Sequence, residues 1–329
     1  MNRTTLSLLA AAVSIGRFQA LAADAGFVFE KDVSTQVDLA DKRLPRWRDG
    51  AMVLIDTRAG AQVGIAVFVG QERSYLTFSV PGASHITVRG FNRGADGTVA
   101  LCGSLTDAEG RAGSYVGWIS SSGQEAHVIR TSPFVAGRVA LAADGSIWAQ
   151  GSEIRPRAPG EAPRQTLGEA LKGDAAVFRQ FSKSGKLLRA VVPQSEIIDP
   201  AALTNTVSSV FEAVGDRVMW YSSVARQHIS IAADGEVVTT NDLPLPNKEE
   251  LSGGTFGAQG ELFASSQNGS TWSMSRLDLS GKNWISMASG SVSYRATSVH
   301  RPTLLGTDGD YLVVNGRDSH HVQFFRISR

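Results

Sequence analysis

Glu196, Asp199 and Asn205 fall within ten residues, and Asn247, Lys248, Glu249 and Glu250 are consecutive. Arg155, Arg157 and Arg164 stand in a third polar stretch, interrupted by Pro156, Pro159 and Pro163. Carboxylates, amides and guanidiniums mixed in this way ion-pair and hydrogen-bond with a polar partner, which is the chemistry of a binding surface. A second set, His85, Arg89, Arg138, His300 and Arg301, sits on segments that read as strands and that would line a channel. The spacings that bond-breaking chemistry requires are missing from the sequence. There is no G-x-S-x-G elbow, no G-x-x-x-x-G-K-[ST] loop, no H-E-x-x-H, no C-x-x-C and no twelve-residue calcium loop. The pair His320-His321 lies on a strand, where successive side chains face opposite sides, so the two are not expected to share a metal. Asn268-Gly269-Ser270 fits a glycosylation sequon but reads better as a hairpin turn. No catalytic residue is assigned, and neither a cofactor nor a metal is expected.

Cys102 is the single cysteine, so no disulfide forms within the chain. Its flanks, TVALCGSL, read as a strand in which a thiol serves as a small buried hydrophobe. Trp148 and Trp220 occupy matching places on two strands, a pattern expected of packing between sheets.

These residues are positioned by a repeated frame. Asp49-Gly50, Asp96-Gly97, Asp144-Gly145, Asp216-Arg217, Gln259-Gly260 and Asp308-Gly309 each precede an alternating strand with a large apolar residue near its start. The starts are separated by 47, 48, 72, 43 and 49 residues. Asp-Gly favours the positive φ of tight hairpins. A second turn follows within most units, at Ser122-Gly123, Ser184-Gly185, Asp234-Gly235 and Ser280-Gly281. Four strands per unit, six times over, predict an all-β fold: a six-bladed β-propeller of four-stranded antiparallel blades. The last unit lacks its outermost strand, and residues 26–39 have strand character without a unit of their own. The N-terminal strand is therefore expected to complete and close the last blade.

The gap of 72 holds about 24 extra residues, a Pro/Arg-rich loop insertion at about 151–173 joining a second strand to a third. Residues 167–172 predict a helical turn or two within it. The Asp-Gly and Ser-Gly turns share one side of the disc. The insertion and the long crossovers at 81–84, 193–205 and 244–251 share the other. Long loops on a rigid scaffold carry function, so the crossover side, with the residues named first, is the expected site. Deleting residues 153–173 is expected to leave folding intact.

The stretches VFRQFSKSGKLLRAVVP and GDRVMWY, with the Asp-Gly frames, resemble secreted bacterial six-bladed propellers with degenerate NHL-like repeats, a family of unassigned function. Relatives of that fold imply either a partner-binding platform or a lactonase- or lyase-like enzyme acting on a small metabolite at the channel mouth. Calcium enters only under the second reading, which implies Glu, Asn and Asp at inner-strand ends. Here Asn92 and Asn205 are present, and the inner strands otherwise carry Ser, Thr, Phe, Arg and His.

Residues 1–22 read as a signal peptide: Arg3, a ten-residue apolar run and Ala20-Leu21-Ala22. Its removal takes the net charge from +1 to −1 and leaves a single domain, residues 23–329, that is periplasmic or secreted. No later stretch is apolar enough to span a membrane. The balance of 32 basic and 31 acidic residues argues against nucleic-acid binding. The expected protein is a monomeric exported binding module taking a protein, peptide or glycan ligand, with the propeller enzyme as the alternative.

Overall fold

The computed structural model describes residues 27–34, 46–56, 60–70, 72–156, 160, 166–205, 208–246, 251–268, 271–280, 282–291, 293–295, 298–300, 303–315 and 321–327. The expected signal peptide and the centre of the insertion lie outside them. The first strands in order are β1 (Phe27–Ser34), β2 (Arg46–Arg48), β3 (Ala51–Asp56), β4 (Gln62–Val69) and β5 (Glu72–Ser79). Then come β6 (Ala83–Arg93), β7 (Val99–Asp107), β8 (Ala112–Ile119) and β9 (Ala126–Arg130). The third group is β10 (Phe134–Leu141), β11 (Ile147–Glu153), β12 (Ala176–Phe181) and β13 (Leu187–Pro193). The fourth is β14 (Ser209–Val214), β15 (Arg217–Ser222), β16 (Gln227–Ala232) and β17 (Val237–Thr240). The fifth is β18 (Leu251–Phe256), β19 (Leu262–Asn268), β20 (Thr271–Asp278) and β21 (Asn283–Ser291). The chain ends with the short pair β22 (Ser293–Arg295) and β23 (Ser298–His300), then β24 (Leu304–Asp308), β25 (Tyr311–Asn315) and β26 (His321–Ile327).

Groups two to five are four-stranded antiparallel sheets in sequence order. The remaining long strands form one eight-stranded sheet, ordered β1-β26-β25-β24-β2-β3-β4-β5. Its two antiparallel halves are joined by a parallel pairing of Trp47 with Gly306, and β1 pairs antiparallel with β26 from Phe27↔Ile327 to Ser34↔His321. Gly306 is required at the join, because an added Cβ would stand 1.9 Å from the Trp47 carbonyl oxygen.

Turn chemistry explains the regular hairpins. At 94–98, 142–146 and 257–261 the same two backbone hydrogen bonds recur, with Gly97, Gly145 and Gly260 at positive φ. The Asp96 and Asp144 carboxylates accept from the backbone N–H groups two residues on, Thr98 at 3.0 Å and Ser146 at 2.8 Å. They are thereby committed to holding the turns. The fourth unit differs from expectation, since the positive-φ glycine, Gly215, precedes Asp216 instead of following it.

Burial falls from the early strands of each sheet to the last. Strands β11 and β16 are wholly buried, whereas β17 is almost wholly exposed. Apolar clusters therefore lie between sheets, on both faces of their early strands. Ile65 and Phe78 pack with Val88 and Tyr115, Cys102 with Phe134, and Trp148 and Phe178 with Trp220. Tyr221 packs with Leu262, Phe263 with Leu312, and Phe324 with Met52. The last of these returns from the final strands to the first sheet. The initial strands of the units also touch in turn, β2 with β6, β6 with β10, β10 with β14, β14 with β18, β18 with β24, and β24 with β2. No helix among the described residues is long and apolar enough to cross a membrane.

Candidate functional site

Where the initial strands converge, charged groups from non-neighbouring strands meet. Arg46 and Arg48 project from β2, two residues apart and so on one face of the strand. Arg46 Nη1 lies 3.4 Å from Glu212 Oε1, and Arg48 Nη1 lies 3.5 Å from Glu212 Oε2. Glu212 is on β14, 166 residues away in sequence from Arg46. Its carboxylate also accepts from the Phe256 backbone N–H at 3.0 Å and from Thr255 Oγ1 at 3.1 Å, both on β18. Arg48 Nη2 donates to the Ala213 carbonyl oxygen, and Arg93 Nη1 on β6 donates to the Arg48 and Asp49 carbonyl oxygens at 3.3 Å. One carboxylate thus ties β2, β14 and β18 together, and Arg93 anchors β6 to the same point. A carboxylate that accepts from this many donors serves as a structural anchor.

Arg138 is the most deeply buried cation of this group. A bulge between Ala136 and Arg138 interrupts the pairing of β10 with β11, and similar irregularities fall in β6, β18 and β24. A bulge bends its strand and re-aims the next side chain. Arg138 Nε donates to Ser209 Oγ on β14 at 2.9 Å. Burial, followed by the nearby Arg46 charge and partly offset by Glu212, pulls its guanidinium down to about 9. Arg46 is lowered as well, chiefly by burial. Gly90 makes room for this strand, since a Cβ there would lie 2.7 Å from the Gly137 carbonyl oxygen and 2.8 Å from Arg138 Cα. Cys102 lies within electrostatic reach of both Arg138 and Arg89, yet burial dominates and pushes its thiol up to about 12.

A cavity of about 620 Å³ opens at the end carrying the turns between the first and second strands of each unit. Arg48, Arg93 and Lys183 supply cations to its wall, Asp49, Asp96 and Asp144 supply carboxylates, and Leu141 and Ala213 supply apolar surface. Lys183 Nζ lies 3.3 Å from Asp96 Oδ2. Burial pushes the Asp96 carboxyl up, but the Thr98 and Lys183 hydrogen bonds outweigh it and hold it below the usual range. A second space of about 200 Å³ adjoins it across Arg48 and Gly215.

The opposite, crossover end holds the residues singled out from sequence. Asp199 caps a 3-10 turn, Pro200–Leu203, by accepting from Ala201 N at 2.9 Å. Asn205 Oδ1 accepts from Ser208 N at 3.1 Å. The side chain of Glu196 is exposed, and its carbonyl oxygen accepts from Gln227 Nε2 at 3.1 Å. Arg155 is exposed at the stem of the insertion, where its backbone N–H donates to the Ala170 carbonyl oxygen. His85 and Arg89 are exposed on β6, with Arg89 Nε donating to Ser104 Oγ at 3.0 Å. Of the channel set, Arg89 and Arg138 both lie within electrostatic reach of Cys102. His300 does not join them: it belongs to β23 of the separate two-stranded sheet, because the initial strand of the last unit is β24. Arg157, Arg164, Asn247, Lys248, Glu249, Glu250, Arg301 and His320 lie outside the described residues. Asn92 and Asn205 stand at opposite ends of their strands, one residue before the end of β6 and four before the start of β14. Among the described residues, no three His, Cys, Asp or Glu side chains gather at one point.

The insertion stem is part of the core. Arg179 Nη2 contacts Glu153 Oε2 at 2.6 Å, and Lys172 Nζ contacts Glu153 Oε1 at 3.2 Å. Buried Gln194 accepts from Glu153 N and donates to the carbonyl oxygens of Glu153 and Lys172. Leu171 joins the cluster around Trp220. Deleting residues 153–173 would therefore remove core contacts, contrary to expectation. The expected helical turn is a single one, Leu167–Ala170, capped by Thr166.

Sequence reasoning missed the Arg46, Arg48 and Glu212 cluster, since no spacing links residues so far apart. The only signal was Glu212 within the largely apolar β14 and the two arginines that flank Trp47 in β2.

No protein-family description and no curated protein matches the sequence. Among solved structures, virginiamycin B lyase from Staphylococcus aureus overlaps at 13% identity, with 91% of this chain and 99% of that chain covered and a TM-score of 0.46. A protein described as a putative gluconolactonase overlaps at 14% identity, with 92% of each chain covered and a TM-score of 0.49. TolB from Acinetobacter baumannii overlaps at 13% identity, with 84% of this chain and 63% of that chain covered and a TM-score of 0.43.

Proposed function

We propose that this chain is an exported six-bladed β-propeller that binds a peptide segment of a partner protein in the cavity at the turn end. Six sequential units, apolar clusters between consecutive sheets and the return of the last cluster to the first sheet support the six-blade reading. On that reading the parallel Trp47–Gly306 pairing is the contact of two neighbouring inner strands, and β1 on β26 is the closing strand. The apolar, polar-ended segment at residues 1–22 supports export.

One observation carries the binding reading. Arg46 and Glu212 are spent on one another, while the adjoining cavity of about 620 Å³ brings Arg93, Lys183, Asp49 and the apolar surface of Leu141 and Ala213 to one wall. A peptide offers backbone donors, backbone acceptors and side chains together, and so matches such a wall. Its rigid rim needs no ordering on binding, which favours affinity.

The test is selection from a displayed random peptide library, followed by titration of the enriched peptides. Arg93→Ala and Lys183→Glu are expected to weaken them tenfold or more, whereas Arg155→Ala and Glu196→Ala at the crossover end leave them unchanged. Equal loss from the crossover pair, or no enrichment, would overturn the reading.

A further inference from the structure

Arg138 leaves a charge unaccounted for. Its side chain is 8% exposed. Among the described residues its one hydrogen-bond partner is Ser209, reached through Nε, so both terminal nitrogens, the two-pronged end of the guanidinium, have no protein acceptor. Among the described residues the charges around it do not balance. Arg46, Arg48 and Arg138 share the buried carboxylate of Glu212, which contacts the first two. The further carboxylate beside Arg48, Asp49 Oδ2 at 3.8 Å, is 46% exposed. Burying a cation without a counter-charge is costly, and a planar guanidinium fork matches the two oxygens of a carboxylate or phosphate.

We infer that the initial strands enclose a binding site for a small oxyanion, of carboxylate or phosphate type, held by the terminal nitrogens of Arg138 with Arg46 contributing charge. The bulge in β10 and the glycine at position 90 are what allow Arg138 into this position. The site stands apart from the turn-end cavity, whose wall includes neither Arg138 nor Arg46, so it does not depend on the peptide-binding reading.

The experiment is calorimetric titration of the full chain with sodium phosphate and, separately, sodium acetate, at ionic strength fixed with sodium chloride. Thermal midpoints are measured in parallel. Saturable binding of one of the two, with a raised midpoint, is expected, and the arm that responds identifies the anion class. Arg138→Met should lose at least tenfold in affinity for that anion, and its thermal midpoint should no longer rise when the anion is added. Arg138→Lys keeps the charge but not the fork and should also weaken binding. If neither anion exceeds the chloride control, the inference is overturned on the parent protein alone, whether or not the variants fold. Undiminished binding by Arg138→Lys or Arg138→Met overturns it equally.

Discussion

Replacing Glu212 removes the acceptor on which four donors converge. Its side chain is 5% exposed, and those of Arg46 and Arg48 are 26% and 23% exposed. Breaking a buried ion pair from one side costs about 3–5 kcal/mol, because the abandoned charge stays buried. The partial exposure of both arginines places Glu212→Gln near the lower end, at about 3 kcal/mol. Gln keeps an oxygen for the Phe256 N–H, whereas Leu does not. An unsatisfied buried N–H adds about 1–3 kcal/mol, so Glu212→Leu should cost about 4–6 kcal/mol. Against the 5–15 kcal/mol that stabilises a typical domain, either loss is large. The assay is urea unfolding followed by fluorescence, comparing midpoints at constant slope. The triple variant Arg46→Met, Arg48→Met, Glu212→Leu should regain most of the stability, since it leaves no charge stranded. A Glu212→Gln loss under about 1 kcal/mol, or a triple variant no better than Glu212→Leu, would refute the idea that one carboxylate ties three strands together.

Two further predictions concern pH. Burial pushes the Glu153 carboxyl up, but the Arg179 and Lys172 hydrogen bonds outweigh it and hold the folded value below the ordinary glutamate value. Its stabilisation is present above that value and lost as pH falls through the folded one. In urea titrations Glu153→Gln should be less stable than the parent at neutral pH and converge with it in acid. Burial pulls His228 down to about 4, where it packs 5.8 Å from the Phe256 ring and opposite Tyr221 on β15. The unfolded chain therefore takes up this proton first, and stability falls between about 6.5 and about 4. His228→Phe should flatten that slope, and the parent His228 resonance should not titrate above about 5.

How far the structure could be read beforehand depends on the range of the interaction. Asp96-Gly97 and Asp144-Gly145 announce their turns because the positive φ and the Asx hydrogen bond are local. Trp148 and Trp220 were legible as packing residues because large aromatic side chains on strands are driven into the space between sheets, and both lie in one cluster. The cluster around Glu212 was not legible. Arg46 and Glu212 meet only when β2 and β14 are brought together, and Arg138 is aimed by a bulge that no residue type announces. The local roles of the crossover residues were hidden for a related reason. Asp199 and Asn205 look like ligand-binding groups in a list of loop residues, but each is committed to a backbone N–H close by in the chain.

Joining of the chain's two ends is the claim on which the six-blade reading rests. Val33 and Val322 are register partners in β1 and β26, and partners in an antiparallel pair have Cα separations of about 4.5–5.5 Å, within disulfide range. The decisive measurement is oxidation of the Val33→Cys, Val322→Cys variant in native buffer and in urea. A disulfide that forms within the native monomer and raises the urea midpoint is predicted, since the closed loop spans nearly the whole chain. Two thiols that stay free under native conditions, or that link only between molecules, would contradict it.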